Sequence, residues 1–578
     1  MKPAGSDFNF RAAPAAPANR DWQPIDHAVA RWVRAHGGDQ RLADIAAAAS
    51  AADGAGDSAL RIDDAETLAA LRTMPLVGTA DSAATPFVID DDLFYLRRNF
   101  SHEVALAQLL GERLQPAQAT ISVDQLDSLF AQPDDPRIAG QRAAVAKALR
   151  QRLFVLTGGP GTGKTTTVLR ILMALLAEHG DDARLRLAAP TGKAAQRLGE
   201  SLRAASAEDF PAAWQPLLAK VQMAETATVH RLLGSRGARG GWRHHADSPL
   251  PADIVVIDEA SMLDLAMLRG VLEALSPDTR LILVGDADQL DSVGTGSVLQ
   301  DIVSALGDDS ANLQRLLHSF RADRALLPLN EAVRQGEPAA FFAGLSAAQP
   351  AAMQQRLADA PALRKALHGW ADALLAEIIA AGIDRSLQHT LEPQIALETL
   401  RRRQLLSALR EGEFGASGAN AVIEKHLASA LQTADAAVGE GTFWYPGRRV
   451  MITRNDPASG LFNGDIGICL GDGSGGLQVW FEAADDLPRA FDIAALPAHV
   501  AAFALTVHKA QGSEYAEVAV LLPQVVEHRL LSRQWLYTAI SRARKRLQIW
   551  GTDAAITQAI NAPAMRTSGL AKRIRLSL

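Results

Sequence analysis

Residues 153–179 read LFVLTGGPGTGKTTTVLRILMALLAEH. The first residues form a short apolar run typical of a buried strand, and the last ones place apolar residues at helical spacing. Between them, residues 158–165 satisfy G-x-x-x-x-G-K-[ST], the pattern of a loop whose backbone N–H groups cradle phosphates. A chance glycine-rich turn is the alternative, and the flanking strand and helix argue against it. The stretch therefore predicts a phosphate site on an α/β fold.

Each residue of this loop has an expected role. The helix N-terminus favours phosphate charge, and glycines let the backbone N–H groups turn inward. Lys164 reaches the β- and γ-phosphates, while the Thr165 hydroxyl holds Mg²⁺. The other residues expected to contact the nucleotide are Gly158, Gly159, Pro160, Gly161, Thr162, Gly163 and Thr166.

Three further apolar runs have the same form: LRLAAPTG at 185–192, DIVVIDEAS at 253–261 and RLILVGDAD at 280–288. Short, unalternating runs followed by helical patterns are typical of a parallel sheet buried on both faces. The second run ends at Asp258-Glu259, where open α/β sheets bind ligands. We expect Asp258 to hold Mg²⁺ with Thr165, and Glu259 to act as a base or to orient water. These features predict binding and hydrolysis of a nucleoside triphosphate.

Composition limits the remaining classes. A chain of 578 residues exceeds one hydrophobic core, so several domains are expected. A net charge of −7 excludes a globally basic nucleic-acid binder, so any such site must be a local groove. The single cysteine, Cys469, allows no intrachain disulfide. We find no apolar run of membrane-spanning length and no secretory signal, so a cytoplasmic location is expected.

The rest of the chain changes period several times. Residues 1–112 read as helical, with no chemistry that we can name. Around 441–484, alternating β-branched and aromatic residues with N-G, D-G and G-G turns predict a small antiparallel barrel. The segments 503–523 and 533–550 return to strand and helix, which predicts a second α/β domain interrupted by the barrel.

Further motifs occur in a fixed order. They are Gln141, GGPGTGKTT, APTGKAAQRL, TVHRLLG, VIDEASM, GDADQL, SFR, TVHKAQGSE and LYTAISRAR. This set resembles that of superfamily-1 helicases and is most similar to the RecD family, the alpha subunit of exodeoxyribonuclease V. The resemblance extends from Gln141 to Leu547 and, less distinctly, into the N-terminal region.

The resemblance implies an architecture. It implies two RecA-like P-loop motor domains with ATP in the cleft between them, a helical N-terminal domain that docks on a partner, and an SH3-like β-barrel. The expected limits are 1–112 for the N-terminal domain, 113–335 for the first motor domain and 336–578 for the second. A small insertion is expected near 205–250 and the barrel near 438–500.

The resemblance also implies roles for nucleotide-site residues outside the loop. Gln141 matches the adenine-reading glutamine, and Asp286 with Gln289 matches the motif that senses the γ-phosphate. Arg321 and Arg542 match arginines that the second motor domain presents to the γ-phosphate. Three residues of one later motif are expected to face the nucleotide: Gln511, Gly512 and Glu514. We expect Arg544 and Lys545, by contrast, to form a solvated basic face.

A DNA track is implied in the same way. Pro190, Thr191 and Lys193 match the loop that touches single-stranded DNA in the first motor domain, and Thr506 and His508 match its counterpart in the second. Hydroxyls and backbone amides that grip phosphates suit an enzyme that must bind any sequence. His230 is more consistent with a structural position, or one near DNA, than with a metal ligand, since it has no partner at ligand spacing. His244-His245 is similarly unconvincing as a metal site.

The implied function is that of an ATP- and Mg²⁺-dependent 5′-to-3′ DNA helicase, the motor subunit of a RecBCD-type enzyme with RecB-like and RecC-like partners. The 157 residues before Gly158 resemble the form that works inside this three-subunit enzyme, where the nuclease lies in another subunit. One alternative is a P-loop ATPase that remodels protein and touches no DNA. Another is a scaffold with a vestigial ATP site.

Overall fold

A computed structural model describes residues 22–82, 85–117, 121–180, 182–237, 240–320, 325–357, 359–383, 392–431, 444–456, 458–482, 487–525, 528 and 530–577. These residues contain one four-stranded, one six-stranded and two five-stranded sheets. Among the helices that they form, none combines the length and apolar character needed to cross a membrane.

The N-terminal part contains a sheet, so the prediction that it is helical is wrong in this respect. Its elements are α1 (Pro24–Ala35), α2 (Gln40–Gly54), β1 (Leu60–Arg61), α3 (Ala65–Arg72), β2 (Val77–Gly78), β3 (Phe87–Asp90), β4 (Leu93–Leu96) and α4 (Arg97–Arg113). β3 and β4 form a hairpin through Asp91-Asp92, and Asp91 has a φ of +52°. Strands of four residues or fewer carry little period-two signal, so the sequence pattern merges β4 with the helix that follows it.

The next part is built on a six-stranded parallel sheet in the order β10-β5-β9-β8-β6-β7. Its elements are α5 (Val123–Asp127), α6 (Ala139–Ala148), β5 (Leu153–Gly158), α7 (Lys164–His179), β6 (Leu185–Ala189), α8 (Gly192–Arg203), α9 (Gln215–Gln222), β7 (Thr226–Thr228), α10 (Val229–Leu233), β8 (Ile254–Ile257), α11 (Leu265–Ala274), β9 (Arg280–Gly285), α12 (Val298–Leu306) and β10 (Leu313–Leu316). The four strands predicted from apolar runs, β5, β6, β8 and β9, are confirmed. The short edge strands β7 and β10 are not visible in the sequence pattern.

Both faces of this sheet are buried, as the unalternating runs predict. Leu153 and Val155 pack into one apolar cluster, whereas Phe154 and Leu156, which point the other way, pack into a second. Successive residues of a strand face opposite sides, so a strand between two apolar layers needs apolar residues at every position.

The second half starts with helices and two strands. These are α13 (Leu327–Gln335), α14 (Pro338–Ala347), β11 (Ala352–Gln355), α15 (Ala360–Ala380), α16 (Pro393–Thr399), β12 (Arg403–Ser407) and α17 (Ala416–Leu431). The chain then enters a separate sheet of β13 (Arg449–Ile452), β14 (Ile466–Gly471), β15 (Leu477–Glu482), β16 (Pro488–Asp492) and β17 (His499–Ala501). These strands pair antiparallel in the order β16-β15-β14-β13-β17, which confirms the inserted antiparallel unit.

After the insertion the chain completes a second parallel sheet. The remaining elements of this half are β18 (Ala504–Thr506), β19 (Tyr515–Leu521), α18 (Arg533–Ile540), β20 (Ala543–Trp550) and α19 (Asp553–Asn561). The sheet order is β11-β20-β19-β12-β18, with every neighbouring pair parallel. The predicted second α/β domain, split by an antiparallel insertion, is therefore present.

The last helix, α20 (Leu570–Ser577), leaves the second half of the chain. It packs against α4 and α12, and Leu570 and Ile574 lie in the apolar cluster on one face of the first parallel sheet. The segment between α19 and α20 therefore links the second parallel sheet to the N-terminal part. The domain limits expected from sequence, which place these residues in the second motor domain, stay predictions.

Candidate nucleotide-binding cleft

The loop between β5 and α7 has the tight backbone that its glycines predict. Gly161 and Gly163 have φ values of +74° and +81°, which residues with a Cβ rarely adopt. A Cβ at position 163 would also lie 2.3 Å from Gln141 Nε2. Gln141 is buried and donates from Nε2 to the Thr162 carbonyl at 3.3 Å, so the predicted adenine-reading residue contacts the loop directly.

Lys164 is the first residue of α7, and its ammonium group lies inside the loop. Its Nζ donates to the carbonyls of Gly158 at 2.6 Å and Gly159 at 3.1 Å. Side chains at these two glycines would approach atoms from elsewhere: a Cβ at 158 would lie 2.7 Å from the Leu316 carbonyl, and one at 159 would lie 2.8 Å from the Tyr537 hydroxyl. The loop is thus enclosed by the edge strand β10 and by α18.

Asp258 and Glu259 follow β8 at the carboxyl edge of the sheet. Asp258 Oδ1 accepts the Glu259 backbone N–H at 2.9 Å, and Glu259 has a φ of +51°. Burial, and then the neighbouring Glu259 carboxylate, raise the pKa of Asp258 to about 7, while Lys164 opposes the shift. Two adjacent acids facing a lysine form a local charge cluster that suits a cation and a phosphate.

A hydrogen-bonded chain joins this edge to the second half of the molecule. Gln289 Nε2 donates to Asp286 Oδ2 at 2.9 Å, and the Tyr537 hydroxyl donates to the same oxygen at 3.1 Å. Arg542 Nη2 donates to Gln289 Oε1 at 2.6 Å, and its Nε donates to the Thr538 carbonyl at 3.1 Å. Burial raises the pKa of Asp286. The buried Arg542 is therefore positioned by α18 and by a first-half glutamine.

The predicted turn at 511–514 meets the same edge. Gln511 Nε2 donates to the Leu290 carbonyl at 3.1 Å, and Gly512 has a φ of +70°. Glu514 pairs with Arg544 at 2.7 Å. Arg544 and Lys545 are both exposed, as expected for a solvated basic face, and Arg544 also lines the cavity described next.

These groups surround one cavity of about 600 Å³ between the two halves. Predicted residues that line it are Gln141, Pro160, Gly161, Gly163, Lys164, Thr165, Thr166, Asp258, Glu259, Gln289, Gly512, Glu514 and Arg542. Lining residues for which the sequence predicts no role at the nucleotide include Arg170, Arg197, Phe320, Arg401 and Arg544, although Arg197, Phe320 and Arg544 lie within the quoted motifs. The volume lies within the usual range for small-molecule sites, about 300–1,000 Å³.

The SFR motif packs directly on the phosphate loop. The Phe320 backbone N–H donates to the Gly161 carbonyl at 2.8 Å, and the Ser319 hydroxyl donates to the Pro160 carbonyl at 3.3 Å. Arg321, the predicted second arginine, lies outside the described residues. Phe320 keeps 46% of its surface exposed and borders the cavity, a placement that its motif alone does not predict.

The residues expected to bind DNA in the first half surround the N-terminus of α8. Pro190 and Thr191 follow β6, and the Thr191 hydroxyl caps α8 by accepting the Ala194 N–H at 3.2 Å. Lys193 points into a second cavity, which Asp465 and Glu482 of the inserted sheet also line. Burial, and then Arg197, lower the pKa of Lys193 to about 8, and the two acids oppose this.

The second-half counterparts lie at the end of β18. Thr506 is its last residue, and His508 lies in the short 3₁₀ turn that follows. Burial, and then the charge of Arg566, lower the pKa of His508. Elsewhere, the exposed His230 ring lies edge-on against Trp242 with centroids 5.5 Å apart.

The residues at the carboxyl edge fit a magnesium ion. Hard cations prefer oxygen ligands, and Mg²⁺ commonly uses one or two carboxylates together with substrate phosphates. The Thr165 hydroxyl and the Asp258 carboxylate supply oxygens on the wall of the same cavity. Glu259 and Asp258 together give this wall the negative charge that a divalent cation would offset.

Each half of the chain contains a match to a protein family. The AAA domain matches residues 141–295, and the UvrD-like helicase C-terminal domain matches residues 501–549. Two parallel sheets, a P-loop cleft between them and these two matches define the class of the protein: a P-loop helicase.

Curated relatives make the assignment more specific. The RecBCD enzyme subunit RecD of Mycobacterium tuberculosis (strain CDC 1551 / Oshkosh) is 37% identical over 89% of this chain and 85% of its own length. The subunit of the same name from Haemophilus influenzae is 30% identical, over 84% and 81%. The ATP-dependent RecD2 DNA helicase of Deinococcus radiodurans is 31% identical, over 86% and 60%. The chain belongs to the RecD family.

Proposed function

We propose that this chain is an ATP-dependent DNA helicase that moves 5′ to 3′ as the motor subunit of a RecBCD-type helicase–nuclease, with the nuclease in a partner subunit. Relatives named RecBCD enzyme subunit RecD and ATP-dependent RecD2 DNA helicase support the activity. The observation that carries the mechanism is the shared cavity, which Lys164 lines from one half and Arg542 from the other. The direction of movement rests on the family resemblance.

ATP binds with its phosphates in the loop at 158–165. Backbone N–H groups and Lys164 stabilise the β- and γ-phosphates, and Gln141 lies at the loop to contact the base. Mg²⁺, held by Thr165 and Asp258, would neutralise charge on the phosphate oxygens. Glu259 orients the attacking water and accepts its proton.

Hydrolysis depends on the second half of the chain. An arginine supplied to the γ-phosphate stabilises transition-state charge and is worth roughly 10³–10⁵ in rate. Arg542 fills this role, together with Arg321. Arg542 donates to Gln289, and Gln289 donates to Asp286. These hydrogen bonds connect the arginine to the carboxyl edge of the first sheet, where Mg²⁺ would bind. A change in the nucleotide therefore alters the contacts between the two halves.

Coupled closure of the two halves moves single-stranded DNA. Pro190, Thr191 and Lys193 grip it in the first half, and Thr506 and His508 in the second. RecB-like and RecC-like subunits assemble with this chain on double-strand DNA ends in the cytoplasm, for recombinational repair. The N-terminal unit forms the partner-docking domain, and the five-stranded insertion is an SH3-like barrel within the second RecA-like motor domain.

Unwinding of forked DNA tests this proposal. The chain is purified with and without its genomic neighbours, and forks carry either a 5′ or a 3′ single-stranded tail. We expect ATP-dependent unwinding of the 5′-tailed fork by the chain. Unwinding of the 3′-tailed fork alone would contradict the direction, and ATP hydrolysis that single-stranded DNA does not stimulate would favour a protein-remodelling ATPase.

A further inference from the structure

Arg197 lies on α8 at the border of the nucleotide cavity, and the roles assigned above do not use it. The side chain is partly buried, and its Nη1 donates to the carbonyl oxygen of Gly512. Arg197 belongs to the first parallel-sheet half and Gly512 to the second. The hydrogen bond therefore crosses the cleft that the nucleotide occupies.

Gly512 lies close to Glu259, the proposed water-orienting carboxylate. A Cβ added at this position would lie 3.9 Å from Glu259 Oε1 and 3.8 Å from the Ala194 Cβ. The φ of +70° at Gly512 places its carbonyl where Arg197 reaches it, and a residue with a side chain would be strained in this conformation. Arg197 thus donates to a backbone turn that lies close to the Glu259 carboxylate.

The same turn has two more attachments. Gln511 Nε2 donates to the Leu290 carbonyl at 3.1 Å, and Arg542 Nη1 donates to the Ser513 carbonyl at 3.4 Å. Residues 511, 512 and 513 are therefore each hydrogen-bonded to a different residue. One of these partners is Arg542, the arginine proposed for catalysis. Displacing the turn would disturb both Glu259 and Arg542.

The groups around Arg197 affect the stability of its positive charge. Burial lowers the pKa of Arg197, Glu514 and Tyr515 favour its charged form, and Arg401 and Arg542 oppose it. A buried charge is tolerated when it is paired and hydrogen-bonded, so the contact with Gly512 stabilises the cation inside the cleft. Separating the two halves would remove that contact.

We propose that Arg197 is a positioning residue for ATP hydrolysis, which holds the turn 511–513 close to Glu259 and so fixes this carboxylate for the attacking water. This inference rests on the proposed ATPase function. Arg197 acts on the residue that orients the attacking water and not on ATP binding. Its loss therefore lowers kcat and leaves ATP affinity nearly unchanged. A displacement of about 1 Å at a reacting group can cost on the order of 100-fold in rate.

Three variants test the assignment through steady-state ATP hydrolysis at saturating single-stranded DNA, with thermal unfolding measured in parallel. We expect Arg197→Ala to lower kcat by about tenfold or more while KM for ATP stays near the wild-type value. Arg197→Lys keeps the charge and a donor but loses the planar fork, so it should recover part of kcat. Arg203→Ala, an exposed position on the same helix, is the matched control and should behave as wild type.

Two results would overturn the role of Arg197. One is a kcat for Arg197→Ala equal to that of Arg203→Ala. The other is an equal loss of activity in the alanine and lysine variants, accompanied in both by an equally lower melting temperature. That result would show that Arg197 has a purely structural role. If single-stranded DNA did not stimulate ATP hydrolysis by the wild-type protein, the proposed helicase function would be contradicted instead. The role of Arg197 would then still be tested by comparing the basal hydrolysis rates of Arg197→Ala and wild type.

Discussion

Lys164 donates hydrogen bonds to two carbonyls of its own loop, and the loop closes around its ammonium group. The motif predicts this placement from sequence because its glycines and its lysine have fixed spacing. The residue pairs that meet across the cleft, by contrast, cannot be predicted in this way. The contacts of Gln289 with Arg542, and of Arg197 with Gly512, join residues hundreds of positions apart, and no local pattern indicates which pairs meet.

The first prediction concerns Lys164→Gln. Glutamine removes the cation that stabilises the β- and γ-phosphates, so we expect DNA-stimulated ATP hydrolysis and unwinding to be lost. Assembly with partner subunits should be unaffected, since Lys164 lies inside the cleft. ATPase assays and co-purification measure the two properties, and retained DNA-stimulated hydrolysis would refute the nucleotide-site assignment.

The second prediction concerns Asp301 on α12, which faces the segment leading into α20. Burial raises the pKa of Asp301 to about 7 from its usual 3.8, and a hydrogen bond from Ser568 opposes the shift. The folded protein binds this proton more tightly than the unfolded chain does. The stabilisation is therefore complete below about pH 4 and is lost as the pH rises through about 7.

Asp301→Asn should remove this pH dependence, because asparagine does not ionise. One pKa unit corresponds to about 1.4 kcal/mol, so ionisation of Asp301 costs roughly 4 kcal/mol of stability at high pH. We expect the melting temperature of the variant, relative to wild type, to rise between pH 5 and pH 8. An equal difference at both pH values would show that Asp301 does not titrate in this range.

Elements differ in how clearly the sequence predicts them. The strands β5, β6, β8 and β9 are visible because central parallel strands need apolar residues at every position. The hairpin of β3 and β4 is missed because its strands are four residues long and adjoin a helix. The position of α20 is also invisible in the sequence, since an amphipathic helix does not indicate which distant surface covers its apolar face.

The third prediction tests the packing of α20. Ile574 is fully buried against the first sheet, and Leu576, two residues later, is 79% exposed. Ile574→Ala should therefore cost about 2–5 kcal/mol through lost burial and a residual cavity. Leu576→Ala serves as the matched control and should be nearly neutral. Chemical denaturation compares the variants, and equal effects would contradict the described packing of the helix.

At the scale of the whole molecule, the first parallel sheet presents its carboxyl edge to one cavity, and the second presents the amino ends of its strands to the same cavity. The sequence predicts the two α/β halves and the nucleotide loop, and the family resemblance predicts which residues of both halves face the nucleotide. The structure adds the cross-cleft contacts of Arg197 and the return of α20 to the first half. The central claim is that hydrolysis requires both halves, because each supplies a charge to the same triphosphate.

The most direct test of this claim is single-turnover ATP hydrolysis by Arg542→Ala in the presence of single-stranded DNA, with nucleotide affinity measured separately. The exposed neighbour variant Lys545→Ala is the control. We predict that the rate for Arg542→Ala falls by about 10³-fold or more while ATP still binds and Lys545→Ala is unaffected. A hydrolysis rate for Arg542→Ala equal to that of the control would contradict the account.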